Sequence, residues 1–181
     1  QTPRALSAPF YTGYLKVAEG CANRCTFCTI PTIRGPYRSR PLEDLLQEAG
    51  WLASQGVVEL NVIAQDTTAY GTDLGPGPRL ADLLEALAST SALPWIRLLY
   101  GYPQRVSHQL LEVMRSHESI CKYLDLPFQH ASPRLLKDMG RSGSAQEFRE
   151  LIAYIREYLP EVTLRTTLIV GFPGEDEPHF Q

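Results

Sequence analysis

The chain has 181 residues, of which 44% are hydrophobic and 20% are charged, and its formal net charge is −3. This length and composition suffice for one ordinary globular core. The sequence shows no run of eighteen apolar residues and no signal peptide over residues 1–10, so neither a membrane span nor secretion is indicated, and a cytoplasmic location is expected. The acidic balance lacks the basic field that usually carries nucleic-acid binding.

The amino-terminal stretch, residues 1–13, is interpreted as a linker or lead-in. It begins with Gln rather than Met and is polar, with prolines at positions 3 and 9. The remaining residues, 14–181, are predicted to form one domain. Its first strand covers residues 14–18.

Three cysteines follow the first predicted strand. Cys21, Cys25 and Cys28 are separated by three and then two residues. This spacing lets three sulfurs converge on one iron–sulfur cluster, and the lack of a fourth local ligand leaves one iron open to an exogenous group, which favours catalysis over electron transfer. A structural zinc site, and then a disulfide with one thiol left over, are the alternatives.

Strands and helices alternate along the rest of the chain. Residues 29–40 are predicted to be a solvated loop. Apolar spacing and capping residues predict helices that begin at Pro41, near Leu80, after Ser107, at Pro133 and after Ser144, and strands over residues 57–64, 95–100, 123–126 and 162–170. The last strand is nearly all β-favouring, which predicts that it is covered on both faces.

Five strands, each followed by a helix or its beginning, predict an α/β fold with a parallel, barrel-like sheet and right-handed crossovers. In such folds the chemistry lies at the carboxyl ends of the strands. The polar segments expected at this edge are the cysteine loop, Gln65-Asp66, Tyr102, Gln129-His130 and residues 171–175. Their convergence predicts a single site.

The cysteine loop, with aromatic Phe27 before its last cysteine, resembles the signature of radical S-adenosylmethionine (SAM) enzymes. Almost the whole chain, from about residue 14 to residue 180, resembles the radical SAM domain of methylthiotransferases. Residues 65–71, 124–132 and 169–175 resemble the branch of this family that places a methylthio group on the β-carbon of an aspartate in a small-subunit ribosomal protein.

Asp66 is the main discriminator between branches, because the tRNA-modifying branch tends to carry Asn at this position. The resemblance implies a transferase whose partners are the ribosomal protein and an electron donor such as flavodoxin or ferredoxin. It also implies the cofactor sites: Cys21, Cys25 and Cys28 for a 4Fe-4S cluster, and Gln65, Gln129 and Gly171 near SAM.

Family members carry further parts that this sequence lacks. These are a preceding domain that holds a second 4Fe-4S cluster, the last barrel strand and a small terminal β-domain. We therefore expect a partial barrel of about five strands, truncated at the carboxyl terminus, with an open sheet edge. We also expect that this chain alone does not complete turnover.

Three alternatives stay open at this point. Within the family the alternative is a tRNA methylthiotransferase, and from another class it is a non-catalytic, metal-binding interaction module. His130 either acts on a proton or is a hydrogen-bonded structural histidine. Cys121 is expected to be buried and inert.

Overall fold

The computed structural model describes residues 9–181, so most of the predicted lead-in lies outside the described residues. The strands are β1 (Thr12–Lys16), β2 (Ala18–Glu19), β3 (Arg38–Ser39), β4 (Glu59–Ile63), β5 (Trp95–Leu98), β6 (Tyr123–Asp125) and β7 (Thr163–Arg165). The helices are α1 (Ile30–Arg34), α2 (Leu42–Ser54), α3 (Leu80–Thr90), α4 (His108–Ser116), α5 (Pro133–Asp138), α6 (Ala145–Tyr158) and α7 (Glu177–Phe180). Short 3-10 turns cover Thr67–Ala69 and Pro103–Arg105.

Five of the strands lie side by side and run in the same direction. β4 pairs in parallel with β1 on one side and with β5 on the other, and β6 pairs in parallel with β7. The two groups are joined where Ile96 N–H donates to Ser119 O at 2.7 Å and Cys121 N–H donates to Ile96 O at 2.9 Å. The strand order β1, β4, β5, β6, β7 follows the chain, which confirms the predicted α/β arrangement.

The connecting helices pack beside one another, α2 on α3, α3 on α4 and α4 on α6. In α2 the fully buried residues Leu45, Ala49 and Leu52 are spaced by four and three, so they share one face of the helix. They join strand residues such as Leu60 and Ile96 in one hydrophobic core. Among residues 9–181, no helix has the length and apolar character needed to cross a membrane.

The segment after the cysteines departs from the sequence prediction of a solvated loop. It contains α1 and β3, and β3 pairs antiparallel with β2. The physical reason is Tyr37, whose side chain is 8% exposed and whose hydroxyl donates to Asp66 O at 2.9 Å. Burying this ring pulls the chain back onto the sheet. Pro41 also differs from prediction, since it caps α2 and the helix begins at Leu42.

The last predicted strand is shorter and more exposed than its composition suggests. Of residues 162–170, only β7 is regular strand, and the side chains of Leu168 and Val170 are 59% and 67% exposed. The expectation of cover on both faces is wrong, because Thr163 and Arg165 of β7 are exposed and Leu164 between them is only half-buried. Among the described residues, β7 is paired only with β6.

The cap of α4 gives a test of the helix boundary. Ser107 Oγ accepts a hydrogen bond from Leu110 N–H at 3.2 Å. We expect Ser107→Ala to lower the free energy of unfolding by about 1 kcal/mol, measured by urea denaturation, because an amide of the first turn loses its partner. Ser116→Ala, at the exposed end of the same helix, is the control and should change it by less than about 0.5 kcal/mol. Equal losses in both variants would contradict the assigned cap.

Candidate metal and cofactor site

Loops at the carboxyl ends of the parallel strands surround a cavity of about 160 Å³. The lining includes the three cysteines of the loop after β2, Gln65 and Asp66 after β4, Tyr102 after β5, Gln129 after β6, and Arg141 after α5. Parallel strands end at the same edge of a sheet, and this brings together residues that are far apart in sequence. The cysteines thus share one cavity with Gln65 and Gln129, two of the three residues expected near SAM.

The three cysteines are free thiols, each half-buried at the cavity. Burial raises the pKa of the Cys21 thiol above its ordinary value. Within residues 9–181, no three histidine, cysteine or acidic side chains are grouped as ligands of a single metal ion. A four-iron cluster does not need three ligands around one ion. Each cysteine binds a different iron, so the sulfurs are spaced around the cluster.

The cysteine loop is docked on the end of α5. Thr26 N–H donates to Met139 O at 3.0 Å, and Thr26 Oγ1 donates to Asp138 O at 2.9 Å. The last carbonyls of a helix have no partner within the helix, so the loop satisfies groups that would otherwise lack one. Gly140 allows the approach: its φ is +69°, and a Cβ at this position would lie 2.6 Å from Arg24 O.

The start of the same loop also depends on a close backbone approach. Gly20 has a φ of +76°, and a Cβ there would lie 2.2 Å from Pro36 O. The next residue, Cys21, donates its N–H to Gly35 O at 3.3 Å. The first cysteine is therefore held against the turn that follows α1.

A buried carboxylate ties the cysteine loop to two other loops. Asp66 is 3% exposed and accepts hydrogen bonds from Asn23 Nδ2 and Thr68 Oγ1, both at 2.7 Å. Arg105 Nη1 forms an ion pair with the same carboxylate, and Arg105 Nη2 donates to Asn23 Oδ1 at 3.1 Å. Asn23 lies between the first two cysteines, so this Asp66 clamp fixes the middle of the cysteine loop.

Two arginines of the site were missed by sequence reasoning. Arg105 and Arg141 both lie over the ring of Tyr102, with Cζ atoms 4.8 and 4.3 Å from its centroid. Arg105 follows the end of a predicted strand. Its position therefore could have marked it as a candidate residue of the site. Arg141 follows a helix stop at Gly140, and nothing in the local sequence indicates that its side chain reaches the cavity.

The two glutamines present different groups to the cavity. Gln65 Oε1 is buried and has no hydrogen-bond partner among the described residues. Gln129 has a φ of +72°, and its backbone bonds to Thr167 O at 2.9 Å and to Ile169 N–H at 2.7 Å. Tyr100, another lining residue, has a φ of +61°. Positive φ outside glycine is costly, and such residues cluster at functional sites.

Gly171 and His130 lie outside the lining of this cavity in the part of the chain that the structure describes. His130 Nδ1 accepts from Ser132 N–H at 2.9 Å, which leaves Nε2 to donate to Glu175 Oε1 at 3.4 Å. Glu175 Oε2 accepts from Gly171 N–H at 2.6 Å and from Phe172 N–H at 2.9 Å. This places His130 in a structural hydrogen-bond network.

The Glu175 carboxylate keeps its charge in this network. Partial loss of hydration opposes ionisation, but the hydrogen bonds from Phe172, His130 and Gly171 outweigh it and hold the pKa of Glu175 below its ordinary value. Gly171 has a φ of +79°, and a Cβ there would meet no atom within 4 Å. The glycine therefore serves the turn, since no group of the described residues crowds it.

Cys121 lies apart from the three cavity cysteines. It is half-buried, so the expectation of a buried side chain is wrong. Loss of hydration nevertheless raises the pKa of the thiol, and a protonated thiol is a poor nucleophile and metal ligand.

The family model of the radical SAM superfamily matches residues 15–181. The chain belongs to this superfamily. It is 52% identical over 179 residues to "Ribosomal protein uS12 methylthiotransferase RimO" of Geotalea uraniireducens (strain Rf4), and 50% identical over 179 residues to the protein of the same name from Clostridioides difficile (strain 630). Each alignment covers 99% of this chain and 40% of the relative. The chain thus spans two fifths of the length of these relatives.

Solved structures agree on the fold. The radical SAM methyltransferase TsrM from Kitasatospora setae superposes with a TM-score of 0.73 at 19% identity, over 93% of this chain and 32% of that chain. SuiB from Streptococcus suis gives a TM-score of 0.65 at 15% identity, over 94% of this chain and 35% of that chain. At such identities the likeness supports the α/β fold alone.

Membership of the superfamily implies a 4Fe-4S cluster and SAM, and the residues at the cavity fit both. The donor set holds three free cysteines around one cavity, with a guanidinium beside them to balance thiolate charge. The buried, unpartnered Gln65 Oε1 offers an acceptor to a ligand that carries hydrogen-bond donors.

Gly140 gives a test of how the cysteine loop is docked. We expect Gly140→Ala to lower the free energy of unfolding by about 1–3 kcal/mol, because the methyl group meets Arg24 O and the left-handed backbone is costly for alanine. Thermal and urea denaturation would measure the loss. Gly50→Ala is the matched control: Gly50 lies in α2, nothing approaches its Cβ position, and we expect a gain of about 0.5–1 kcal/mol. A stable Gly140→Ala protein would contradict the close docking.

Proposed function

We propose that this chain is the radical SAM core of a methylthiotransferase that modifies the β-carbon of an aspartate in ribosomal protein uS12. The proposal rests on a sequence identity of 50–52% to proteins named RimO over 98% or more of the chain. A cavity that gathers three cysteines and two glutamines at the carboxyl edge of the sheet supports the proposal.

In this proposal Cys21, Cys25 and Cys28 each bind one iron of a 4Fe-4S cluster. The loop offers only these three thiols, so one iron of such a cluster would be left for SAM to bind. When bound, the reduced cluster and SAM supply a 5′-deoxyadenosyl radical, which can remove hydrogen from an unactivated C–H bond. The protein would hold the thiolates in place through the Asp66 clamp and the end of α5, and Phe27 contributes an aromatic ring to the cavity lining.

SAM is proposed to contact Gln65, Gln129 and Gly171. The unpartnered Gln65 Oε1 would accept a hydrogen bond from an amino or hydroxyl group of SAM, and the strained backbone at Gln129 presents its side chain to the same cavity. Gly171 lies beyond the lining, so its contact requires SAM to extend from the cavity towards residues 171–175. No side chain is assigned as the acid or base of the reaction.

The full-length protein is proposed to act on the ribosomal protein in the cytoplasm. Its amino-terminal domain would hold the second 4Fe-4S cluster and take part in sulfur delivery, and flavodoxin or ferredoxin would supply electrons. The net charge of −3 argues against RNA as the substrate of this segment. Since the segment spans two fifths of its relatives, we propose that complete turnover requires the remaining domains.

The cluster ligands can be tested on the chain itself. Anaerobic reconstitution with iron and sulfide should yield a brown protein with about four irons per chain, and Ala at Cys21, Cys25 or Cys28 should abolish the cluster. Cys121→Ala is the control and should load normally, because this thiol lies away from the cavity. SAM should also change the electron paramagnetic resonance spectrum of the reduced cluster.

Three results would count against this assignment. Unchanged iron content in Cys25→Ala would refute the ligand set. A spectrum indifferent to SAM would remove the chemical basis of a radical SAM centre. A colourless protein with one tightly bound zinc would favour a non-catalytic interaction module.

The substrate is tested in a strain that lacks the parent gene. Mass spectrometry should show the ribosomal aspartate without its methylthio group, and methylthio nucleosides of tRNA at wild-type levels. A plasmid copy of the parent gene should restore the modification, and the same copy with Cys25→Ala should not. Loss of the group from tRNA alone, with the aspartate still modified, would refute the protein substrate.

A further inference from the structure

Arg141 places a guanidinium directly against a cavity cysteine. Its Nη1 donates to Cys25 Sγ at 3.8 Å, and its Nη2 donates to Pro127 O at 2.9 Å. The ring of Tyr102 lies 4.3 Å from its Cζ atom, and Nε is buried with no hydrogen-bond partner among residues 9–181. Ring and carbonyl together hold the planar group in one orientation, so its charge faces the sulfur.

The charge of Arg141 lacks the partner that the neighbouring arginine has. Arg105 stacks on the same tyrosine, but its guanidinium is paired with the Asp66 carboxylate. Within residues 9–181, no carboxylate forms an ion pair with Arg141, whose contacts are a carbonyl, a ring and a sulfur. The cavity therefore carries one uncompensated positive charge, and it lies at Cys25.

A positive charge at this position would change the reduction potential of a cluster bound by the cysteines. A cluster held by thiolates becomes more negative by one unit when it is reduced, so a nearby cation stabilises the reduced form more than the oxidised form. The partly buried setting strengthens the effect, since the effective dielectric constant there is lower than in water. Hydrogen bonds to the sulfurs of such clusters act in the same direction.

We infer that Arg141 is a positioning residue that raises the reduction potential of the cluster through its charge and its hydrogen bond to Cys25. The inference rests on the proposed function in one respect, namely that Cys25 is a cluster ligand. It assigns to Arg141 a role in easing delivery of the electron, which is distinct from binding iron. Tyr102 and Pro127 orient the guanidinium for this role.

The test is a redox titration of the reconstituted 181-residue chain, followed by electron paramagnetic resonance. In Arg141→Gln the ratio of reduced to oxidised cluster at the wild-type midpoint should fall about tenfold, which corresponds to about 59 mV for a one-electron couple. Arg141→Lys keeps a charge but loses the planar fork, so its midpoint should lie between those of the wild type and Arg141→Gln. Arg134→Gln removes an equal charge from the exposed face of α5, and its midpoint should match the wild type.

The outcomes separate this inference from the proposed function. A wild-type chain that takes up no iron overturns the proposed function, and the inference with it. A loaded wild type with the same midpoint as Arg141→Gln overturns the inference alone. So does an equal shift in Arg134→Gln, which would make the effect one of net charge. If the Arg141→Gln variant takes up little iron, the Arg141→Lys variant decides the question. A midpoint potential of Arg141→Lys at or above the wild-type value would overturn the inference.

Discussion

The carboxylate of Asp66 is the constraint on which the geometry of the cavity depends. A buried charge is costly unless it is paired and hydrogen-bonded, and Asp66 meets this condition with donors from three segments: Asn23, Thr68 and Arg105. Each donor belongs to a different part of the site or its walls. Because Asp66 lies in the loop that begins where β4 ends, the sheet positions the carboxylate, and the carboxylate then fixes the other loops.

The structure thus gives Asp66 a physical role. In the sequence analysis this residue served only to separate two branches of a family. In the sequence, Asp66 is a point of resemblance to one branch of the family and serves as a prediction of substrate. In the structure the side chain pairs with a guanidinium, and an amide would accept one hydrogen bond from Arg105 without cancelling its charge. An Asn at position 66 would therefore change the electrostatic balance beneath the cysteine loop.

The parts of the fold that were predictable depend on local patterns. The spacing of Leu45, Ala49 and Leu52 identifies a buried helix face, and Ser107 marks the start of α4, because both signals lie within a few residues of the feature they specify. The three cysteines were found for the same reason. The alternation of strands with helices then places the polar segments at one edge of the sheet, and this inference needs no knowledge of any tertiary contact.

The parts that were not predictable depend on distant neighbours. Tyr37 is buried by a segment that meets it only in the folded chain, and Arg141 reaches a sulfur 116 residues earlier in the sequence. The exposure of Leu168 was missed because composition reports a preference for burial, while packing of other elements against the face of the strand decides whether burial occurs.

The docking of the cysteine loop on α5 also has a consequence for the order of folding. Thr26 and its acceptor Asp138 are separated by 112 residues. Contacts between residues so far apart in sequence form late in folding, because the entropy of closing the intervening loop is lost before the contact can stabilise the chain. During synthesis the three thiols emerge long before the helix that shapes their loop. Until α5 folds, they are open to oxidants and to competing metals. Iron loading is therefore best timed after the chain has closed, when the loop already has the shape that the cluster requires.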